Sequence, residues 1–181
     1  MSRWLPALIA LGLAGCAAKP AVETVPPPRA YAHGIGGATF LIGGTFPPGR
    51  SPDCNSLILY GPEGAFLIDS GRHAEHLTLI RQGFSGIGMT PVAIINTHWH
   101  LDHVSGNPAL KAAFPDIKVY GTSAIDGALS GFLAKSAEAS RKALAEGAIP
   151  ASAIPDVEGD LATIARGAEL KPDIVVDESR D

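Results

Sequence analysis

Three histidines and one aspartate lie within six consecutive residues, His98–His103 (HWHLDH). This run follows a short β-rich segment, Pro91 to Ile95, and precedes a predicted helix with Asn107 as its N-cap and its end near Ala113. Imidazole nitrogens and carboxylate oxygens are the ligands that zinc takes in sites with an open coordination position. The run therefore predicts a metal site in a loop at the end of a buried strand.

The spacing within the run divides the ligands between two ions. In an extended segment the side chains of His98 and His100 point the same way, because side chains alternate, so two imidazoles can hold one ion. Asp102 and His103 are consecutive and are expected to diverge, which suits a second ion about 3.5–4 Å from the first. Gly106 allows the backbone to turn away before the next helix.

The remaining histidines and cysteines give no comparable pattern. His33, His73 and His76 have no neighbouring ligand-type residues, and we expect all three to be surface residues. Cys54 is predicted to be a small buried residue and not a ligand. No histidine follows His103, and both cysteines precede the run.

Composition excludes several classes of function. The 181 residues, of which 46% are hydrophobic and 18% charged, suffice for one domain with a hydrophobic core. The formal charge is −4 and no cluster of Lys and Arg is present, so we expect no nucleic-acid partner. The sequence has two cysteines, Cys16 and Cys54, which are too few for a framework of several disulfides. The sequence indicates no oligomeric state.

The N-terminus has the pattern of an export signal. Arg3 precedes ten apolar residues, Trp4 to Leu13, which are too few to span a bilayer. The following Leu-Ala-Gly-Cys resembles the lipobox of bacterial lipoproteins, which implies acylation of Cys16 and a lipid anchor in the membrane. An ordinary secretory signal is the alternative. Either form of export places the protein outside the cytoplasm.

A proline-rich stretch separates the signal from the rest of the chain. Residues 16–35 include three consecutive prolines and predict an extended tether. We therefore expect a lipoprotein signal peptide at 1–15, a tether at 16–35 and a folded domain at 36–181. The protein would face the periplasm in the cell envelope, and Ala17 favours the outer membrane.

Apolar periodicity predicts an alternation of strands and helices in the folded domain. Further strands are expected at Ala38–Ile42, Ser56–Tyr60, Ala65–Ile68, Ile117–Tyr120 and from Ile174 onward. Helices are expected from Ala74 to Gly83, as one or two helices within Thr122–Glu146, and from Asp156 to Ala168.

Two motifs in this arrangement resemble the metallo-β-lactamase superfamily. Thr97 to His103 matches its H-x-H-x-D-H signature, and Leu67–Gly71 resembles its upstream strand-end Asp-x-Gly motif. The resemblance implies an α+β fold, the αββα sandwich, with the metals at the edge between its sheets. The resemblance also implies further metal ligands in the second half of the fold, including later histidines, and no histidine follows His103. We therefore expect the chain to hold only the N-terminal half of that fold, in a truncated domain. A natural half-domain completed by a partner chain is the alternative.

The same resemblance assigns roles to individual residues. His98 and His100 would belong to the first zinc site, and Asp102 and His103 to the second, with two zinc ions per complete domain. Asp69 would support the loop without binding metal. Asp102 would also be catalytic, because it would orient the metal-bound hydroxide that attacks the substrate.

The resemblance implies hydrolysis of an ester, thioester, lactam or related bond in a small-molecule substrate, by a zinc enzyme that the lipobox would anchor to a membrane. Two other functions remain open at this point. A mono-iron sulfur dioxygenase of the same fold could carry this motif. A non-catalytic metal-binding or interaction lipoprotein would account for the missing ligands.

Overall fold

The computed structural model describes residues 31–178, which form one mixed β-sheet with seven helices. In chain order the elements are β1 (Tyr31–Gly36), β2 (Thr39–Gly43), β3 (Ser56–Gly61), β4 (Gly64–Ile68), α1 (Ala74–Ile87), β5 (Pro91–Ile95), α2 (Leu101–Val104), α3 (Asn107–Ala113), β6 (Lys118–Gly121), α4 (Ala124–Ser130), α5 (Phe132–Ala145), α6 (Ile154–Ala165), α7 (Gly167–Leu170) and β7 (Ile174–Val175). No helix in this range is both long and apolar enough to cross a bilayer.

The seven strands lie in the sheet in the order in which they occur in the chain. Strands β1 to β4 pair antiparallel, whereas β4, β5, β6 and β7 pair parallel. Each parallel pair needs a crossover, and helices supply every one of them. The carboxyl ends of β4, β5 and β6 therefore open at one edge of the sheet, where α/β proteins place their ligands.

Helices α1 and α3 cover one face of the sheet. Ile80 of α1 and Leu110 of α3 are fully buried against strand residues such as Ile58, Leu67 and Ile94. A second apolar cluster joins α2 to α4, α5 and α7, and its buried members are Leu101, Val104, Ile125, Ala128, Leu133 and Leu170. The second cluster holds the short helix α2, and hence the histidine run, against the helices that follow β6.

The opposite face of the sheet is apolar and open to solvent within residues 31–178. Leu59 pairs with Phe66, and Ile68 pairs with Ile95, so these side chains share that face. Leu59 and Ile95 remain 37% and 39% exposed. The sheet is thus covered on one side by helices and bare on the other.

Most of the predicted elements are confirmed. Strand β5 has the predicted bounds, helix α3 ends at Ala113 as predicted, and the predicted β3–β4 hairpin is present. The segment predicted as one or two helices forms two, α4 and α5. The expected strand at Ile174 is β7.

The predicted end of α1 at Gly83 was wrong. Gly83 lies inside the helix and is buried, and a Cβ atom there would come 2.7 Å from Cδ1 of Ile58. The glycine therefore allows close packing of the helix on the sheet. Termination occurs at Gly88, whose φ of +66° is the left-handed cap conformation and whose N–H bonds the carbonyls of Phe84 and Ser85.

The start of the folded part also differs from the prediction. Residues 31–35, which we assigned to the tether, belong to β1 and pair with β2. Their sequence, YAHGI, separates the two strand-forming residues Tyr31 and Ile35 by Ala, His and Gly, so local preference is weak and pairing with the neighbouring strand decides the structure. The predicted signal peptide, Cys16 and the rest of the tether lie outside the described residues.

Candidate metal centre

The backbone leaves β4 through a residue in an unusual conformation. Asp69 has a φ of +58°, the single positive value among the non-glycine residues that the structure describes. Its N–H donates to the carbonyl of Ile95 at 3.0 Å, so it still belongs to the hydrogen-bond ladder with β5. A strained residue at a strand end is characteristic of functional sites, where it aims a side chain that regular structure would direct elsewhere.

The Asp69 carboxylate organises the histidine run from beneath. It is buried and accepts hydrogen bonds from the backbone N–H of Thr97 at 2.8 Å and from the Thr97 hydroxyl at 2.7 Å. Its Oδ2 also lies 2.8 Å from Nδ1 of His103. When Nδ1 donates this bond, Nε2 of His103 carries a free lone pair, which is the state that a metal requires.

The three imidazole rings of the run lie in contact, but their donor atoms are not gathered as closely as those of Cys54, Asp69 and His103, the one compact group of metal-ligating side chains in residues 31–178. The ring centroids of His98 and His100 are 4.6 Å apart, and those of His98 and His103 are 3.9 Å apart. Oδ2 of Asp102 lies 3.3 Å from Nε2 of His103. The expectation that Asp102 and His103 diverge was wrong, because the 3.3 Å contact brings the two side chains together in the first turn of α2.

This donor set fits a divalent metal ion such as zinc. Three imidazoles and one carboxylate supply nitrogen and oxygen ligands of the types that zinc prefers. Burial, together with the neighbouring His103 and His100 rings, lowers the pKa of His98. The ring of His98 is therefore neutral at pH 7 and has a lone pair available for a metal.

Hydrogen bonds from the backbone and from two asparagine side chains hold the loop around the run. The carbonyl of His103 accepts bonds from the N–H of Ser70 at 2.8 Å and from the side-chain amide of Asn96 at 3.0 Å. Asn107 in turn donates to the Asn96 side chain at 2.8 Å. A Cβ at Gly106 would lie 2.2 Å from the Ser70 carbonyl oxygen, so this close approach requires glycine.

Asn96 and Asn107 support the loop of the metal centre, a role that the sequence did not reveal. Asn107 was expected to cap α3, but the N-cap is Gly106 and the Asn107 side chain is fully buried against Asn96. Asparagine is common at both loop ends and helix starts, so neither position stands out in the sequence. The polar pair becomes visible only when β5 and α3 are brought together.

Cys54 lies next to the centre. Its Sγ, a carboxylate oxygen of Asp69 and a ring nitrogen of His103 all lie within 4.8 Å of one another, a set that could hold a metal ion. Burial raises the pKa of the Cys54 thiol to about 12, so the sulfur is protonated at pH 7. The predicted burial of Cys54 is confirmed.

His73 and His76 are not surface residues, and that expectation was wrong. His76 is 0% exposed, and its Nε2 lies 2.8 Å from the Ser56 hydroxyl. His73 is almost as buried, with Nδ1 2.6 Å from Asp53 and Nε2 3.4 Å from Asp156. Their partners, Ser56, Asp53 and Asp156, are at least 20 positions away in the sequence, so no local pattern predicts these contacts. The side chain of His33 is not among those described.

We call the group of Arg50, Asp53, His73 and Asp156 the polar clamp. Arg50 pairs with Asp156 at 3.2 Å, and the Ser51 N–H donates to the same carboxylate at 2.9 Å. The clamp thereby joins the loop between β2 and β3, the start of α1, and α6. None of its members was singled out from the sequence as part of a cluster.

The charges of the polar clamp support one another. The hydrogen bond with Asp53 is the main cause that raises the pKa of His73. Burial opposes ionisation of Asp53, but the bonds from His73 and from the Arg72 N–H outweigh it and hold the pKa of Asp53 below its usual range. Burial likewise opposes ionisation of Asp156, and Arg50 and the Ser51 N–H lower its pKa in the same way.

Comparison with known proteins finds short, clear matches. The hydroxyacylglutathione hydrolase of Thermosynechococcus vestitus is 60% identical over 37 residues, which are 20% of this chain and 15% of that protein. The hydroxyacylglutathione hydrolase of Enterobacter sp. is 46% identical over 55 residues, or 30% of this chain and 20% of that protein. The matched segments thus span a fifth or less of these relatives. A solved metallo-beta-lactamase from Pontibacter korlensis matches 57% of this chain and 48% of its own, at 20% identity and a TM-score of 0.48.

The sequence pattern that defines the Metallo-beta-lactamase superfamily matches residues 50–176. This range is well over half of the chain, and it contains both the Asp69–Gly71 turn and the His98–His103 run. The fold class predicted from the two motifs is confirmed by this match. The chain belongs to the Metallo-beta-lactamase superfamily.

Proposed function

We propose that the chain is the metal-binding part of a zinc-dependent hydrolase that cleaves an ester, thioester, lactam or related bond in a small molecule. The contact of three imidazole rings, with Asp102 against His103 and the buried Asp69 holding His103 from the other side of its ring, is the observation on which this rests. Two relatives that are hydrolases by name support the reaction type. The identity of the bond and the substrate belong to the proposal.

The residues of the metal centre would have different roles in the reaction. Zinc, when bound, acts as a Lewis acid and lowers the pKa of a coordinated water to about 7. Asp69 fixes the His103 ring through Nδ1, so that Nε2 faces the ligand side. Asp102 has two carboxylate oxygens, and it can ligate with one while the other orients the attacking water. His98 stays neutral and therefore competent as a ligand.

Substitution of one histidine tests the metal assignment. We expect His100→Ala to lower zinc content, measured by elemental analysis, together with the hydrolysis of a panel of chromogenic esters and thioesters. His33→Ala is the matched control, since its backbone lies in β1 at the far edge of the sheet. Unchanged zinc stoichiometry in His100→Ala would contradict the assignment. Iron in place of zinc in the purified protein would favour the dioxygenase-like alternative.

We further propose that the protein is anchored in the cell envelope through a lipid on Cys16, facing the periplasm. The Leu-Ala-Gly-Cys sequence after a short apolar stretch supports this proposal. The wild-type protein should partition into the detergent phase on extraction of cells, and Cys16→Ser should move it to the aqueous phase. A wild-type protein found only in the aqueous phase would exclude the anchor.

A further inference from the structure

A hollow of about 240 Å³ lies beside the metal centre, on the side of His100 and Asp102. Its apolar wall is formed by Trp99 of the histidine run and by Phe132 and Leu133 at the start of α5. The hollow is therefore shared between the metal-binding loop and the helices that connect β6 to β7. Any molecule that binds at the metal centre has access to it.

Two of the three members of the apolar wall are aromatic, and of these Phe132 is exposed, whereas Leu133 is buried. Phe132 is 65% exposed although it is a large apolar residue, and its ring lies 5.7 Å from that of Trp99. The Trp99 ring in turn lies 4.5 Å from the ring of His100. Exposed aromatic groups that adjoin a cleft are typical of binding surfaces, because burying them against a ligand is favourable. A continuous aromatic surface thus runs from Phe132 to a candidate metal ligand.

The other end of the hollow is polar but balanced in charge. Nε of Arg72 lies 3.4 Å from Oδ1 of Asp160, and both side chains are largely withdrawn from solvent. A charged ligand group at this end would have to break the pair and leave one partner unmatched. The hollow therefore suits a neutral group.

We propose that Trp99, Phe132 and Leu133 form a subsite for a neutral apolar group the size of a ring, attached to the bond that the metal centre hydrolyses. The preferred substrates are then aryl-acyl esters or thioesters and not short or charged ones. This inference rests on the proposed hydrolase function. The size agrees, because a cavity of about 150 Å³ is enough for benzene.

The first test compares two thioesters of the same neutral thiol, one phenylacetyl and one acetyl. We expect the wild-type protein to show a higher kcat/KM for the phenylacetyl substrate. Phe132→Ala should reduce that preference about tenfold, mainly through KM, because an aromatic contact is lost. Phe132→Leu should restore part of it. Since Phe132 is exposed, its removal leaves the core intact. The control Ile35→Ala removes an exposed apolar side chain from β1 and should leave the preference unchanged.

A second test measures binding without hydrolysis. The chain has two tryptophans, Trp4 and Trp99, so a Trp4→Phe background assigns the fluorescence to Trp99. Phenylacetamide should quench this fluorescence with a Kd at least tenfold lower than that of acetamide, and Phe132→Ala should abolish the difference.

The two tests separate the two proposals. Binding that depends on Phe132 without hydrolysis of either thioester would support the subsite and overturn the hydrolase. Hydrolysis without preference, together with equal binding of the two amides, would overturn the subsite and leave the hydrolase intact.

Discussion

The metal centre and the polar clamp contain similar side chains, but these side chains serve different purposes. In the metal centre His98 and His100 are partly or largely exposed, and they have few bonds to other side chains. In the clamp His73 and Asp156 are buried and each is held by partners from other parts of the chain. Histidine and carboxylate side chains left unpaired at a surface are available to a ligand. The same side chains, when they are paired with one another in the interior, hold helices and loops together.

The two clusters meet at Gly71, and its substitution should have the largest effect. Gly71 has a φ of +72°, and a Cβ there would lie 2.3 Å from the His76 ring and 3.2 Å from an Asp53 oxygen. Its carbonyl also accepts the N–H of Gly106 beside the histidine run. We expect Gly71→Ala to lower the free energy of unfolding by about 3 kcal/mol, as strain and clash combine. Zinc content should fall as well.

Urea unfolding and elemental analysis measure these two effects of Gly71→Ala. Gly86→Ala is the matched control, because a Cβ at Gly86 meets only open space within helix α1. That control should be neutral or stabilising by up to about 1 kcal/mol. Equal stability of the two variants would show that Gly71 does not link the clusters.

The contrast also explains what the sequence could predict. The metal centre is dense along the chain, with four ligand types in six residues after a strand, so local spacing predicts it. Arg50 and Asp156 of the clamp are 106 positions apart, and no local pattern joins them. His73 therefore resembles an isolated surface histidine until the fold supplies Asp53 and Asp156.

The fold follows the same rule. Strand β5 and the β3–β4 hairpin are predicted from alternation and turn residues, which are local signals. Strand β1 is missed because its sequence is a poor strand former and its pairing with β2 decides its structure. Gly83 is misread as a helix end, since a glycine that allows close packing and a glycine that caps a helix look alike in sequence.

Asp156→Asn should disturb the clamp and leave the metal centre intact. The change removes the charge that Arg50 pairs with and weakens the bond from the Ser51 N–H. We expect a loss of about 2 kcal/mol in the free energy of unfolding, since hydrogen bonds to charged groups contribute about 1.5–3 kcal/mol. Zinc stoichiometry should not change. Glu158→Gln, an exposed carboxylate on the same helix α6, is the control. A loss of zinc in Asp156→Asn would mean that the clusters are not independent.

Thr97→Val should have a smaller effect, and one confined to the metal centre. It keeps the shape of the side chain but removes the hydroxyl that donates to Asp69 at 2.7 Å. We expect zinc affinity to fall about tenfold, the usual result when the support of a ligand is lost. The free energy of unfolding should fall by only about 1 kcal/mol. Competition with a chelator measures the affinity, and Thr90→Val, at an exposed position before β5, is the control. An unchanged affinity would show that Asp69 orients His103 without help from Thr97.

His73→Gln should produce the smallest change, visible in the dependence of stability on pH. The pKa of His73 in the folded protein lies above its usual value of 6.5, mainly through its bond with Asp53. The stability from protonated His73 is thus fully present below pH 6.5 and is lost as the pH rises through the raised pKa. His76 works in the opposite sense, because burial lowers its pKa, so only the difference between wild type and variant isolates His73.

That difference in unfolding free energy should be greatest near pH 6 and should shrink, by less than about 1 kcal/mol, towards pH 9. Denaturation curves at several pH values measure it. Since the pKa of Asp53 is lowered, its own contribution persists at pH 5 and declines only as the pH falls below 3.8 towards the lowered pKa. A difference that grows with pH would mean that the histidine is bound in its neutral form, and the clamp would then be held by Arg50 alone.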